Sequence, residues 1–132
     1  MNQFSYIFIA LVICDTLLKL YLNYRQKSAI STNINQVPQV FAKSIELKDH
    51  QKAGTYSLAK LRLGNLELIF SAVLLLIFTL GGGIEYIANQ LSLANYPLSG
   101  EVLIIIGYSI ISGVLGLPFD IYRTFKIEQK FG

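Results

Sequence analysis

The sequence predicts an all-α integral-membrane fold, a helical hairpin or bundle of three transmembrane helices with one cytoplasmic amphipathic helix. Three observations carry that expectation. Only 14% of the 132 residues are charged while 53% are hydrophobic, and mean hydropathy is +0.51. A soluble domain carries about twice that share of charge. Three apolar runs approach the length of about 20 residues that a helix needs to cross roughly 30 Å of hydrocarbon. The basic residues, finally, collect in alternate loops. A soluble enzyme is thereby disfavoured, and a net charge of +3 is too small to argue for a nucleic-acid partner.

The first span covers about residues 4–22. It is apolar through Cys14 and then contains Asp15 and Lys19. A central Asp or Lys costs about 2.5–3.5 kcal/mol on insertion scales. Four residues apart on one helix face, the two can pair, and Lys19 can reach outward along its stem. A cleaved signal peptide is the competing reading. Against it, no basic residue precedes Phe4 and no small-x-small site follows the apolar run. Cys14 is the sole cysteine, which excludes an internal disulfide framework or a cysteine-rich zinc site.

The loop 23–65 opens with a polar stretch, Ser31 to Gln36. Around Pro38, Val37, Val40, Phe41 and Ile45 recur at helical spacing. From Lys48, the positions Ala53, Tyr56, Ala59 or Lys60 and Leu63 continue such a pattern into the second span. Gly54 lies within that pattern and costs about 1 kcal/mol against alanine in a helix. An interfacial helix leading into the membrane accounts for the whole stretch.

The second span, about 66–84, is dominated by Leu68–Leu80, with Glu67 near its start, where a water interface is the simplest account of its charge. Gly81-Gly82-Gly83 reads as a helix terminator, and the outer loop 85–101 as turns and short polar pieces around Asn95-Tyr96-Pro97 and Ser99-Gly100. The third span, about 102–121, is the clearest, because Val102 to Phe119 contains no charge. Ser109 with Gly113, and Ser112 with Gly116, allow another helix to approach closely. Gly116-Leu117-Pro118 should kink or end the helix.

Seven basic residues (Arg25, Lys27, Lys43, Lys48, Lys52, Lys60 and Arg62) lie between spans one and two. The second loop has none, and Arg123, Lys126 and Lys130 follow span three. The positive-inside rule then places the first loop and the C-terminus in the cytoplasm, with the N-terminus and second loop outside.

Recognisable catalytic chemistry is sparse. His50 is the sole histidine, so a helical zinc site with paired histidines cannot be built here. Lys48-Asp49-His50-Gln51-Lys52 reads as a solvated helix face. A Gly-x-Ser-x-Gly elbow is missing, and the triple glycine lacks the Lys-Ser/Thr of a phosphate loop.

Two blocks point further. The first loop reads Val37-Pro38-Gln39-Val40-Phe41 and then His50-Gln51-Lys52-Ala53-Gly54-Thr55-Tyr56-Ser57-Leu58-Ala59-Lys60. The chain closes with Leu117-Pro118-Phe119-Asp120-Ile121-Tyr122-Arg123-Thr124-Phe125-Lys126-Ile127-Glu128-Gln129-Lys130-Phe131-Gly132. Both resemble the amino-terminal membrane region of the type I CAAX prenyl proteases in their bacterial form, and the exit of span one, Tyr21 to Gln26 with Arg25, is similar too. The motif positions are Arg25, Pro38, Phe41, His50, Lys52, Tyr56, Lys60, Pro118, Tyr122, Arg123, Phe125, Glu128, Phe131 and Gly132.

The resemblance implies an integral-membrane zinc metalloendopeptidase whose helices surround a chamber. It implies a bacterial inner membrane, and prenylated or membrane proteins as substrates. The family's His-Glu-x-x-His motif lies downstream of this segment, so the chain is expected to be an N-terminal piece, inactive alone. No catalytic or metal residue carries over to it, and zinc is implied for the longer protein only. What remains is a scaffold: part of the chamber wall, in contact with lipid and the downstream helices. Tyr122, Arg123, Phe125 and Glu128 would fix the exit of span three against the protease domain. The competing expectation is a stand-alone three-span protein, a subunit or assembly factor of a larger membrane complex.

Overall fold

The computed structural model describes residues 3–90 and 97–132. Among the described residues every regular element is helical. The order is α1 (Gln3–Asn33), α2 (Leu47–Leu80), α3 (Gly83–Gln90), α4 (Pro97–Tyr122), a π segment (Arg123–Glu128) and a last turn, α5 (Gln129–Phe131). Three helical stretches, Gln3–Asn33, Leu47–Leu80 and Gly100–Phe131, are long and apolar enough to cross a membrane. Large apolar side chains such as Phe4, Leu11, Val73, Ile105 and Ile110 are exposed, and the buried apolar residues are Leu63, Ile87 and Ile127. A bare surface of this kind would associate in water, whereas in hydrocarbon it is the solvated face.

Helix runs well past the spans read from hydropathy. α1 continues to Asn33 and α2 begins at Leu47, both inside the stretch expected as loop. At 1.5 Å per residue, the 34 residues of α2 reach about 51 Å, far more than the hydrocarbon requires. The pattern from Lys48 onward is therefore one unbroken helix with span two. Gly54 is tolerated there because the end of α1 and the residue after it pack over it: a Cβ at this position would lie 2.8 Å from Ile34 Cγ1 and 3.6 Å from Ile30 Cγ2. Val37–Ile45, by contrast, forms turns and not a helix. Phe41 donates to the Pro38 carbonyl at 2.9 Å, and Ser44 to that of Phe41 at 3.0 Å. Pro38 cannot donate a backbone bond, and so short a run cannot offset helix nucleation.

α1 and α2 form an antiparallel hairpin joined by hydrogen bonds from Asn23 to the connection. Asn23 donates to Asn65 Oδ1 at 2.7 Å. Near the connection, Gln51 donates to Asn35 Oδ1 at 3.0 Å, and His50 Nε2 lies 3.0 Å from the last α1 carbonyl, that of Asn33. That carbonyl is one of the orphan acceptors at a helix end, so the contact serves as a side-chain cap. Within α1, Asp15 and Lys19 pair at 2.7 Å, one turn apart.

α2 ends where the glycines begin. Gly81 donates to the Ile77 carbonyl at 2.9 Å, and Gly82 takes φ +80°, a conformation glycine adopts without strain. The start of the expected outer loop is helical: α3 buries Ile87, whose Cγ2 lies 3.5 Å from the place of a Cβ on Gly107. Asn95 and Tyr96, expected in a turn, lie outside the described residues. Pro118 neither ends α4 nor stops the helical path, since the helix proceeds to Tyr122 and into the π segment. Transmembrane helices accommodate an internal proline in this way. Of the small residues expected to admit another helix, Gly113 and Gly116 face open space, since a Cβ there would touch nothing within 4 Å, whereas the Ser112 hydroxyl is buried.

Candidate functional site

The motif residues converge where the N-terminal half of α2 meets the end of α4. The two helices run antiparallel, and their contacts form a ladder. Phe78 meets Tyr108 edge-on at 5.1 Å between ring centroids, and Phe70 meets Phe119 at 5.3 Å. Next comes an ion pair: Arg123 Nη2 reaches the two Glu67 carboxylate oxygens at 2.6 and 2.5 Å, while its Nη1 donates to Asp120 at 3.1 Å. Leu63 and Ile127, 7% and 5% exposed, line one groove below it. Tyr56 closes the ladder against Phe131 at 5.6 Å.

The π segment makes this alignment. Gln129 donates its N–H to the Thr124 carbonyl, five residues back, and the extra residue in that turn changes which side chains face α2 thereafter. Ile127 is buried as a result, and Phe131 reaches Tyr56. Among the described residues, Glu67 and Arg123 are half-buried, at 27% and 34% side-chain exposure. A charged pair of this kind at the edge of an apolar span is stabilised by proximity and by charge-assisted hydrogen bonds.

The remaining motif positions divide into five groups. Lys60 sits over the Tyr56 ring at 5.2 Å. Lys52, Tyr56, Glu128, Phe131 and Gly132 line a cavity of about 390 Å³ together with Asp49. Pro118 and Tyr122 line the groove of about 740 Å³ that also holds Arg62, Lys126 and Lys130. His50 belongs to the hairpin connection, where Pro38 and Phe41 supply carbonyl acceptors to the turns. Arg25 and Phe125 are exposed. The closing block and the His50–Lys60 block thus meet in space, whereas Arg25, Pro38 and Phe41 stand apart from that meeting point.

Glu67 is the residue that hydropathy leaves underdetermined: it is bound by Arg123 and not left to interfacial water. A lone acid in span two and a lone arginine beyond span three, at matching depth in antiparallel helices, are the signal that could have paired them. Asn23 and Asn65 are another such pair across the hairpin. No group of three or more His, Cys, Asp or Glu side chains able to hold a metal occurs among the described residues. His50 has Asp49 beside it and no third donor, so these residues do not fit a zinc ion.

The chain is similar in sequence to known proteins. One relative, the Caenorhabditis elegans protein named CAAX prenyl protease 1 homolog, is 30% identical over 112 residues, covering 85% of this chain and 24% of its own. A Schizosaccharomyces pombe protein that carries the name Probable CAAX prenyl protease 1 is 25% identical over 127 residues, covering 86% of this chain and 26% of its own. The chain spans about a quarter of the length of these curated relatives. No solved structure matches it. Residues 26–132 match the family described as CAAX prenyl protease N-terminal, five membrane helices. That stretch contains the Tyr56–Phe131 and Glu67–Arg123 contacts, and the chain belongs to the CAAX prenyl protease N-terminal family.

Proposed function

We propose that this chain is the N-terminal transmembrane wall of a membrane zinc metalloendopeptidase of the CAAX prenyl protease type, and that it supplies no catalytic group of its own. The observation that carries this reading is the family match over residues 26–132. The zinc would be held by residues other than these. The downstream helices and protease domain are its partners, and prenylated or membrane proteins its substrates. Of the motif residues, Phe125 and Glu128, both exposed on the last turns, dock those downstream parts. Arg123 acts one step removed, by tying the last turns to α2 through Glu67. The spans are about 4–22, 66–84 and 102–121, with the loop 23–65 and the C-terminus cytoplasmic and the N-terminus and loop 85–101 outside.

A bacterial inner membrane is the assigned location, supported by the similarity of the closing block to bacterial members; the two relatives compared here are eukaryotic. The deciding experiment follows the gene past the codon for Gly132. An open frame that reaches a His-Glu-x-x-His helix, and a purified product that cleaves a prenylated C-terminal peptide in a chelator-sensitive way, support the protease. An immediate stop codon overturns it. In an active product, Phe125→Ala and Glu128→Ala are expected to lower the peptidase rate several-fold. An unchanged rate with unchanged folding removes the docking role.

A further inference from the structure

The groove between α2 and the end of α4 holds more charge than its own contacts use. Arg62, Lys126 and Lys130 line it, and none of its lining residues is acidic. Glu67 and Asp120 are both taken by Arg123, while Glu128, between Lys126 and Lys130 in sequence, lines the neighbouring cavity and not this groove. Arg62 and Lys126 make no ion pair among the described residues, and Lys130 has only the Phe131 ring, 5.6 Å away. All three cations are exposed. The floor is apolar, with Leu63, Leu66 and Phe119 along it.

Depth decides what such a groove meets. Leu68–Leu80 and Val102–Phe119 are free of charge, while Glu67 and Asp120 mark where charge begins on the two helices. The groove spans that boundary, with Leu66 and Phe119 at the hydrocarbon edge and the cations on the water side. Its volume of about 740 Å³ is large enough for a headgroup and the start of an acyl chain. Basic pockets between transmembrane helices at this level attract anionic headgroups, and lysine and arginine stems lie along apolar surface while their charges remain in water. A soluble anion would use the cations and leave the apolar floor uncovered.

We propose that this groove binds an anionic phospholipid, with its phosphate among Arg62, Lys126 and Lys130 and an acyl chain along Leu66 and Phe119. The bound lipid screens the mutual repulsion of the three cations and covers the seam below the Glu67–Arg123 pair. The proposal needs the chain to lie in a bilayer and is independent of any peptidase activity.

The test uses the chain as its gene encodes it, in nanodiscs of phosphatidylcholine containing a minor fraction of phosphatidylglycerol. Native mass spectrometry then counts the lipids retained. At least about tenfold enrichment of phosphatidylglycerol over its bulk fraction is expected, lost in the triple variant R62Q/K126Q/K130Q. The loop variant K27Q/K43Q/K48Q, with the same change in net charge, is expected to keep it. A second readout needs no variant: a phosphatidylglycerol carrying a diazirine on its acyl chain should label residues 58–66 and 118–131 of the wild-type chain. Equal loss in the two triple variants, absence of enrichment, or labelling confined to other helices overturns the proposal. Cross-linking of a protein segment into the groove in place of lipid overturns it as well. Proteolysis enters neither readout, so failure here leaves the protease reading intact, and the reverse.

Discussion

Glu67 and Arg123 show how much one contact can decide at a membrane edge. Each alone would be a charge placed at the end of an apolar helix; together they join α2 to the last turns of the chain with N–O distances of 2.6 and 2.5 Å. Removing either partner leaves the other to find water or distort the seam, because a half-buried group that loses its partner keeps its desolvation penalty. Glu67→Gln and Arg123→Met are each expected to lower stability by about 2 kcal/mol. Their double variant should be much less than additive, since the interaction is already gone after the first change. A double-mutant cycle measured by thermal unfolding in detergent checks this; additive losses would show that the pair contributes no coupling. Asp15 and Lys19 are different, because both are more than half exposed and lie on one helix. Replacing both together by leucine should therefore change stability by no more than about 1 kcal/mol, as read in the same unfolding assay.

At the scale of elements, the hairpin and the π segment are where sequence pattern and structure part company. Apolar runs revealed the spans because hydrocarbon selects composition over long windows, and the triple glycine revealed the end of α2 because Gly82 must take φ +80°. Helix in 47–65 was legible from the recurrence of Ala53, Tyr56, Ala59 and Leu63, whereas 23–33, rich in Asn, Ser and Thr, has neither strong helix propensity nor an apolar stripe to announce it. The π segment had no signature, since one extra residue in a turn leaves hydropathy unchanged. The seam residues Leu63 and Ile127 were equally silent: in a chain this apolar, a leucine against protein looks like a leucine against lipid. Geometry nevertheless makes the π segment testable. Inserting one alanine after Phe125, which is 58% exposed, should rotate the residues after it by about 100°. Ile127 would leave its buried place, at a cost of about 2–5 kcal/mol, as for emptying a core position. Unchanged stability would mean that the phase set by the π turn aligns nothing. The hairpin has a matching test at Gly54, where Ile34 occupies the space a side chain needs. Gly54→Leu should cost about 1–3 kcal/mol through overpacking, and limited proteolysis within 34–46 should accelerate. Unchanged cleavage would show that α1 does not press on α2 there.

For the whole molecule, the seam and the charge distribution describe one another. The contacts that tie α2 to the close of the chain, Tyr56 with Phe131 and Glu67 with Arg123, lie at the end of the helices where the basic residues collect. The opposite end carries α3 with Glu85 and no Lys or Arg between Gly81 and Glu101. An antiparallel α2/α4 pair places those two ends on opposite sides of any bilayer that its apolar middle occupies. Positive charge resists transfer across the membrane during insertion, so the basic end is expected to stay cytoplasmic. Ser44 and Glu85, both exposed and outside the apolar runs, report the two sides. In a Cys14→Ser background, a membrane-impermeant thiol reagent added outside intact cells should label Glu85→Cys and leave Ser44→Cys unlabelled until the membrane is opened. The reverse pattern would invert the orientation while keeping three spans. Labelling of both from outside would break the fold itself, because α2 could then no longer cross between them, and the α2/α4 seam would have to form on one face of the membrane.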